Sequence, residues 1–207
     1  MLQVERISVM NMENAIRGAR NPLNSWARMD SYYDEKGNFV LGENDLSLAR
    51  RLAVAGSDHR KFLRQIIVTM DITAPLYWWK EFDTYKVGTV ANSCSTMHKI
   101  HAKAFERADF SFDYLSEDAV EVLDNLVAYL ESQREKFNET KDKAYWHNMI
   151  QLLPSSYNQM RTVTMNYEVL INMYYARRHH KLAEWHTLCA AIESLPYAKE
   201  LILVKEN

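Results

Sequence analysis

The sequence predicts an α+β fold, with a few strands among five or six helices. Three observations carry that expectation. Only five Gly and four Pro occur in 207 residues, far below the usual ~7% and ~5%, so long regular elements are favoured over turn-dense sandwiches. One stretch, 66–73, alternates as a strand with one buried face does. The second half repeats apolar residues at helical spacing. No repeat, low-complexity tract or Pro/Gly/Ser-rich boundary divides the chain, which predicts a single domain over 1–207, long enough to bury a core without disulfide or metal staples.

The elements follow in order. Leu2, Val4, Ile7 and Val9 alternate weakly and predict a short strand over 2–10. A polar helical segment near 12–20 should stop at Asn21-Pro22, because a residue before proline avoids helical geometry. Residues 28–44 lack periodicity and read as a surface loop with a hairpin at Glu35-Lys36-Gly37-Asn38. Asp45 is a candidate cap for a helix carrying Leu46, Leu48, Leu52 and Val54 and ending at Gly56. In the strand that follows, Ile66, Val68, Met70 and Ile72 share one side and Ile67, Thr69, Asp71 and Thr73 the other. Pro75 ends it and suits the first turn of a helix, where no N–H is needed; Trp78, Phe82 and Tyr85 are its apolar spacing. Residues 86–98 are small and hydroxylic and predict a polar loop.

Ser116 with Glu117 and Asp118 should open a helix whose apolar stripe is Ala119, Val122, Leu123, Leu126 and Leu130. Further helices are predicted from about 141 to Leu153, stopped by Pro154, and over 167–178 and 181–194, the last with Leu182, Trp185, Leu188, Cys189 and Ile192 inward.

Composition narrows the partners. With 47% apolar and 25% charged residues and a net charge of −2, the chain has no polybasic grip on phosphate backbones, so no nucleic-acid partner is expected. No uncharged stretch approaches the roughly 18 residues of a membrane span, and the N-terminus lacks a long apolar signal region, so no membrane partner is expected. Cys94 and Cys189 form neither C-x-x-C nor a zinc pattern; a reducing, cytoplasmic compartment is expected, and no metal.

Several groups could carry chemistry. The 86–98 segment places Lys86 before hydroxyl, amide and thiol groups suited to an anion or planar heterocycle, or it is a solvated loop. Cys94 is a nucleophile only where something lowers its pKa, Lys86 or His98 being near in sequence; otherwise it is a small buried residue. Arg177-Arg178-His179-His180-Lys181 is either a cationic helix cap or a phosphate site built on the guanidinium fork. His59-Arg60-Lys61 with Arg64 is either surface charge or an anion cradle. The run Tyr77, Trp78, Trp79, Phe82 and Tyr85 suits a core, with exposed members able to stack on a ring system. Motifs for Rossmann dinucleotide folds, P-loops and nucleophile elbows are missing.

The order of elements resembles the flavin-dependent thymidylate synthase (ThyX-type) family from about residue 12 to 195. Gly56 and His59 resemble the family's Gly-His before its first core strand, and Ala74-Pro75 the Ala-Pro that opens its signature helix. The family then has Arg-His-Arg, seven residues and Ser; here stand Thr84-Tyr85-Lys86, seven residues and Cys94. Leu153-Pro154, Thr164-x-Asn166, Asn172 and Arg177 look like the family's Leu-Pro, Thr-x-Asn and nucleotide-binding Asn and Arg, and Ala183-Glu184-Trp185 like its Ala-Gln-Trp with one residue more between. That shift makes both Arg177 and Arg178 candidates for phosphate. Departures are the lost Arg-His-Arg, Ala91-Asn92 for Asn-Glu, Cys94 for Ser, Thr96 for Arg, and Leu63-Arg64-Gln65 for Phe-Glu-His.

The resemblance implies a ThyX-like fold, a small antiparallel sheet with several long helices. It implies reductive methylation of dUMP to dTMP, or a related one-carbon transfer, with FAD, NADPH and methylenetetrahydrofolate in a homotetramer. It places His59, Lys86, Asn92 and Asn172 at the cofactor, and Ser93, Cys94, Ser95 and Arg177 or Arg178 at a pyrimidine deoxynucleotide. The lost arginines leave a second reading open, a non-catalytic nucleotide-binding or regulatory relative that keeps the fold and oligomer.

Overall fold

The computed structural model describes residues 2–204. Half of the residues are helical and 18% are in strands, as the α+β expectation requires. A four-stranded antiparallel sheet has the order β1 (Gln3–Met10), β4 (Ile67–Pro75), β6 (Asn158–Asn166), β5 (Val90–Ser93). A separate hairpin pairs β2 (Tyr32–Tyr33) with β3 (Phe39–Val40) in the register Tyr32 to Val40. Its turn is held by the Asp34 carboxylate, which accepts from the N–H groups of Lys36 and Asn38 at 2.9 and 2.8 Å, with Gly37 at φ 78°, a conformation glycine adopts without steric cost. Among the described residues no helix is long and apolar enough to cross a membrane.

By contacts the chain forms two compact units. The first comprises residues 2–3, Ile72–Thr84 and Asn92–Arg161. Its core gathers Ile100, Phe105, Phe110, Leu123, Val127, Leu130 and Met149, where the 24-residue α4 (Glu117–Thr140) meets α5 (Lys143–Leu152). Of the predicted stripe on α4, Leu123 and Leu130 are buried and Leu126 packs against the core, whereas Val122 is 68% exposed and the unpredicted Val127 is buried. α3 (Leu76–Phe82) buries Trp78, Trp79 and Phe82 in mutual edge and tilted contacts. It ends at Phe82, so Tyr85 lies beyond the helix on which its i+7 spacing had placed it.

The second unit comprises Val4–Asp71, Tyr85–Ala91 and residues 162–204. It holds α1 (Met12–Ala19), α2 (Glu43–Val54), α6 (Tyr167–Arg177), α7 (Ala183–Glu193) and α8 (Ala198–Leu201), with α6 against α7 and α2 against α8. The predicted cap of α2 is not Asp45. Gly42 is the N-cap, and Asp30 serves the free N–H groups, accepting from Asn44 at 2.8 Å and Asp45 at 3.0 Å. Asp45 is fully buried and accepts from Arg20 Nε at 2.6 Å, Ser31 Oγ at 2.6 Å and Ser31 N–H at 3.0 Å. β4 follows its prediction, with Ile66, Val68, Met70 and Ile72 at 0% exposure.

Candidate functional site

α6 organises the cationic cluster. Asn166 caps it by accepting the Val169 N–H at 3.0 Å, which fixes the rotational phase of every residue after it. At 3.6 residues per turn, Tyr175 and Arg178 are neighbours one turn apart, and both Asn172 and Arg178 are exposed. The Arg178 guanidinium lies 4.9 Å over the Tyr175 ring, a contact that orients the fork while leaving its edge to solvent. Tyr175 is itself anchored, its hydroxyl donating to the Val204 carbonyl at 2.7 Å.

Arg177 faces elsewhere. Its guanidinium lies 4.7 Å over Trp185 of α7 and 5.5 Å over Tyr85, and its Nε donates to the Tyr85 hydroxyl at 2.9 Å. Tyr85 and Trp185 meet edge-on at 6.0 Å. The two candidate arginines are thereby distinguished: Arg177 is set among aromatic rings and Arg178 is presented outward. His180 Nδ1 accepts the Leu182 N–H at 3.1 Å, fixing the link from α6 to α7.

The structure brings the start of the 86–98 segment to this helix. Tyr85 meets Arg177, and Gly88, at φ 72°, approaches the α6 N-terminus so closely that a Cβ would stand 3.0 Å from Val169 Cγ2 and 3.1 Å from Asn166 Nδ2. Lys86 is exposed beside Tyr85, and the Thr89 Oγ1 is buried without a hydrogen-bond partner among the described residues. His59 is exposed at the head of a 3-10 stretch, Arg60–Gln65. Arg60 is neither surface charge nor anion cradle: it is 5% exposed and its Nε pairs with both Glu168 oxygens at 3.0 and 3.2 Å.

Asn92, Ser93, Cys94 and Ser95 belong to the first unit. The polar-loop expectation is corrected here, because Val90–Ser93 is strand β5, exposed at all four positions. Cys94 continues the pairing, its N–H donating to the Met160 carbonyl at 2.9 Å, and its side chain is exposed rather than the alternative small buried residue. Ser95 Oγ closes a turn by accepting from the N–H groups of Met97 and His98 at 3.2 and 2.9 Å.

The sequence reading missed the Arg60–Glu168 pair, the aromatic setting of Arg177 and strand β6 with its Gln159 and Arg161. Two clefts of about 520 Å³ each lie in the second unit. Arg50, Arg51 and Lys199 line one, and Glu13, Asn14 and Tyr33 help line the other; no candidate residue lines either. Among the described residues no group of three His, Cys, Asp or Glu side chains could hold a metal.

No family model matches the chain, and no curated protein does. Solved structures do. The flavin-dependent thymidylate synthase ThyX of Helicobacter pylori, solved with FAD and dUMP, is similar at TM-score 0.67 and 18% identity over 95% of this chain and 98% of that one. A second structure of the H. pylori enzyme gives 0.67 and 19%, over 98% and 97% of the two chains. The chain has a ThyX-like fold. The UMP/dUMP methylase PolB of Streptomyces cacaoi, solved with 5-Br dUMP, shares this fold at TM-score 0.61 and 16% identity, over 97% and 91%. The ThyX-like fold agrees with the sequence resemblance and with the small sheet and long helices expected from it.

Proposed function

We propose that the protein binds a pyrimidine deoxynucleotide of the dUMP type, with Arg178 on the phosphate. The observation that carries this is the exposed Arg178 at the C-terminal end of α6, oriented by Tyr175, in a fold whose solved neighbours include proteins crystallised with dUMP or 5-Br dUMP. A guanidinium fork matches two phosphate oxygens, which a lysine point charge does not. Arg177 acts as a positioning residue, holding Tyr85 and with it the start of the segment that carries Lys86. In the first unit, taken by itself, the Cys94 turn with Ser93 and Ser95 is proposed as a nucleotide contact through its backbone and short side chains.

Reductive methylation of dUMP is the activity proposed with this fold: methylenetetrahydrofolate would supply the carbon and NADPH the reducing equivalents, which the flavin, once reduced, would pass on as hydride. His59, Lys86 and Asn172 of the second unit and, separately, Asn92 of the first are the residues proposed to contact FAD, and each side chain is exposed. Lys86 would meet the pyrophosphate as a single cation. A specific observation favours the non-catalytic reading: Tyr85 stands where the family has His, and its hydroxyl already serves Arg177. The visible spectrum of the purified protein separates the two. Flavin absorbance near unit stoichiometry supports the enzyme; a colourless protein stabilised by dUMP and not by FAD supports the binding module.

Titration calorimetry tests the site. Arg178→Ala should weaken dUMP binding about 10- to 100-fold, the range expected for hydrogen bonds to a charged group, with the melting temperature unchanged. Equal affinity in wild type and Arg178→Ala would remove Arg178 from the phosphate.

A further inference from the structure

Strand β6 carries two polar side chains where a strand of this core would place apolar ones. Gln159 is 8% exposed and the Arg161 side chain 14%, and two residues apart they share one face. Arg161 lies 4.2 Å over the Trp79 ring, its Nη1 donates to Asp83 Oδ1 at 2.7 Å, and its Nε donates to Gln159 Oε1 at 3.0 Å. Trp79 Nε1 donates to the Gln159 carbonyl at 2.9 Å. The far end of the Gln159 amide, Nε2, donates to the Cys94 carbonyl at 2.6 Å.

The direction of this chain is forced. Arginine has donors and no acceptor, so it takes the amide oxygen of Gln159 and turns the amide nitrogen toward Cys94. The Cys94 turn has little else to hold it: residues 90–95 are exposed and short in side chain, so they cannot be fixed by packing. Cys94 is tied to β6 at both ends, its N–H donating to the Met160 backbone carbonyl and its carbonyl accepting from the Gln159 side-chain amide.

We infer that Gln159 and Arg161 are positioning residues that set the Cys94 turn for nucleotide binding, with Asp83 and Trp79 orienting Arg161. The inference rests on the proposed nucleotide reading, and it names residues that reading does not include. Arg161 acts through Gln159 and the backbone of Cys94.

The test uses the full chain in two measurements. Amide hydrogen exchange at Cys94, without ligand, reads the hold on the turn; dUMP calorimetry reads its consequence. Gln159→Glu keeps an acceptor for Arg161 and removes the donor to Cys94. It should speed Cys94 exchange about tenfold, the size of one hydrogen bond, and weaken dUMP binding by a similar factor. Arg161→Met should do the same, and Arg161→Lys, which keeps a donor facing Gln159 Oε1, should restore most of the loss. Asp83→Asn, at an exposed position, should give a smaller change in the same direction and serves if the buried variants do not fold. Unchanged Cys94 exchange in Gln159→Glu, or equal behaviour of Arg161→Met and Arg161→Lys, would overturn the inference. A wild-type protein that gives no dUMP heat would sink the nucleotide reading instead, while the exchange result still decides whether this pair holds the turn.

Discussion

Asp45 is a carboxylate at 0% exposure whose every close partner is a donor: Arg20, Ser31 and the backbone of residues 30 and 31. Burial pushes its carboxyl up, and the hydrogen bonds from Ser31 and Arg20 outweigh that and hold it below the usual carboxylate range. A folded value below the unfolded one stabilises the protein above about pH 4 and loses that contribution as pH falls from there through the folded value. Asp45→Asn leaves Arg20 buried without its charge partner and should cost about 3–5 kcal/mol in denaturant titrations. It should also flatten the acid limb of stability between pH 5 and 2; an unchanged limb would show that Asp45 does not set it. Nearby, Gly42 has no room for a side chain, since a Cβ would stand 2.3 Å from Asp30 Cγ and 2.4 Å from its carbonyl oxygen. The thiols contrast in the same way. Burial, aided by the Glu193 charge, pushes Cys189 up to about 11, whereas Cys94 is exposed. One thiol should therefore react promptly with a disulfide reagent at pH 8 in the native protein and two after unfolding; two prompt thiols would contradict the burial of Cys189.

Among elements, β4 was legible and β6 was not, for a physical reason. In β4 and the residue before it the inward positions are Ile66, Val68, Met70 and Ile72, so alternation of polarity follows alternation of burial. In β6 the inward positions begin with Gln159 and Arg161 and turn apolar only at Val163 and Met165. The strand's first half is polar because it forms the network that reaches Cys94, and polarity concealed its period. β5 is exposed on both faces and carries no burial pattern at all. Helix phase was the other concealed quantity. The sequence showed the pair Arg177-Arg178 without showing that Arg177 meets Trp185 and that Arg178 is exposed. Asn166→Ala should cost about 1 kcal/mol, the usual worth of an N-cap, and weaken dUMP binding by loosening the α6 start against which Gly88 lies. A loss of affinity with no loss of stability would detach the cap from this role.

At the scale of the whole molecule, the spacing of weak motifs carried more than their identity. Ala74-Pro75, Leu153-Pro154 and Thr164-x-Asn166 mark the starts and stops of elements, and such punctuation survives substitution because it is set by backbone geometry. The side chains between them are freer to change, which is why the fold was legible where the site was not. Tyr85 illustrates this: its spacing placed it on a helix, and the end of α3 at Phe82 instead leaves it to Arg177. The homotetramer belongs to the same reading and is expected from light scattering as a particle of four 24.3 kDa chains; a monomer at working concentration would remove it. The central claim is the outward arginine at the end of α6. Calorimetric titration of dUMP into wild-type, Arg178→Ala and Arg177→Ala protein addresses it most directly. The expected result is measurable binding by wild type, lost or weakened at least tenfold in Arg178→Ala at unchanged melting temperature, with Arg177→Ala losing stability as well as affinity. Binding that survives in Arg178→Ala, or none in wild type, would contradict it.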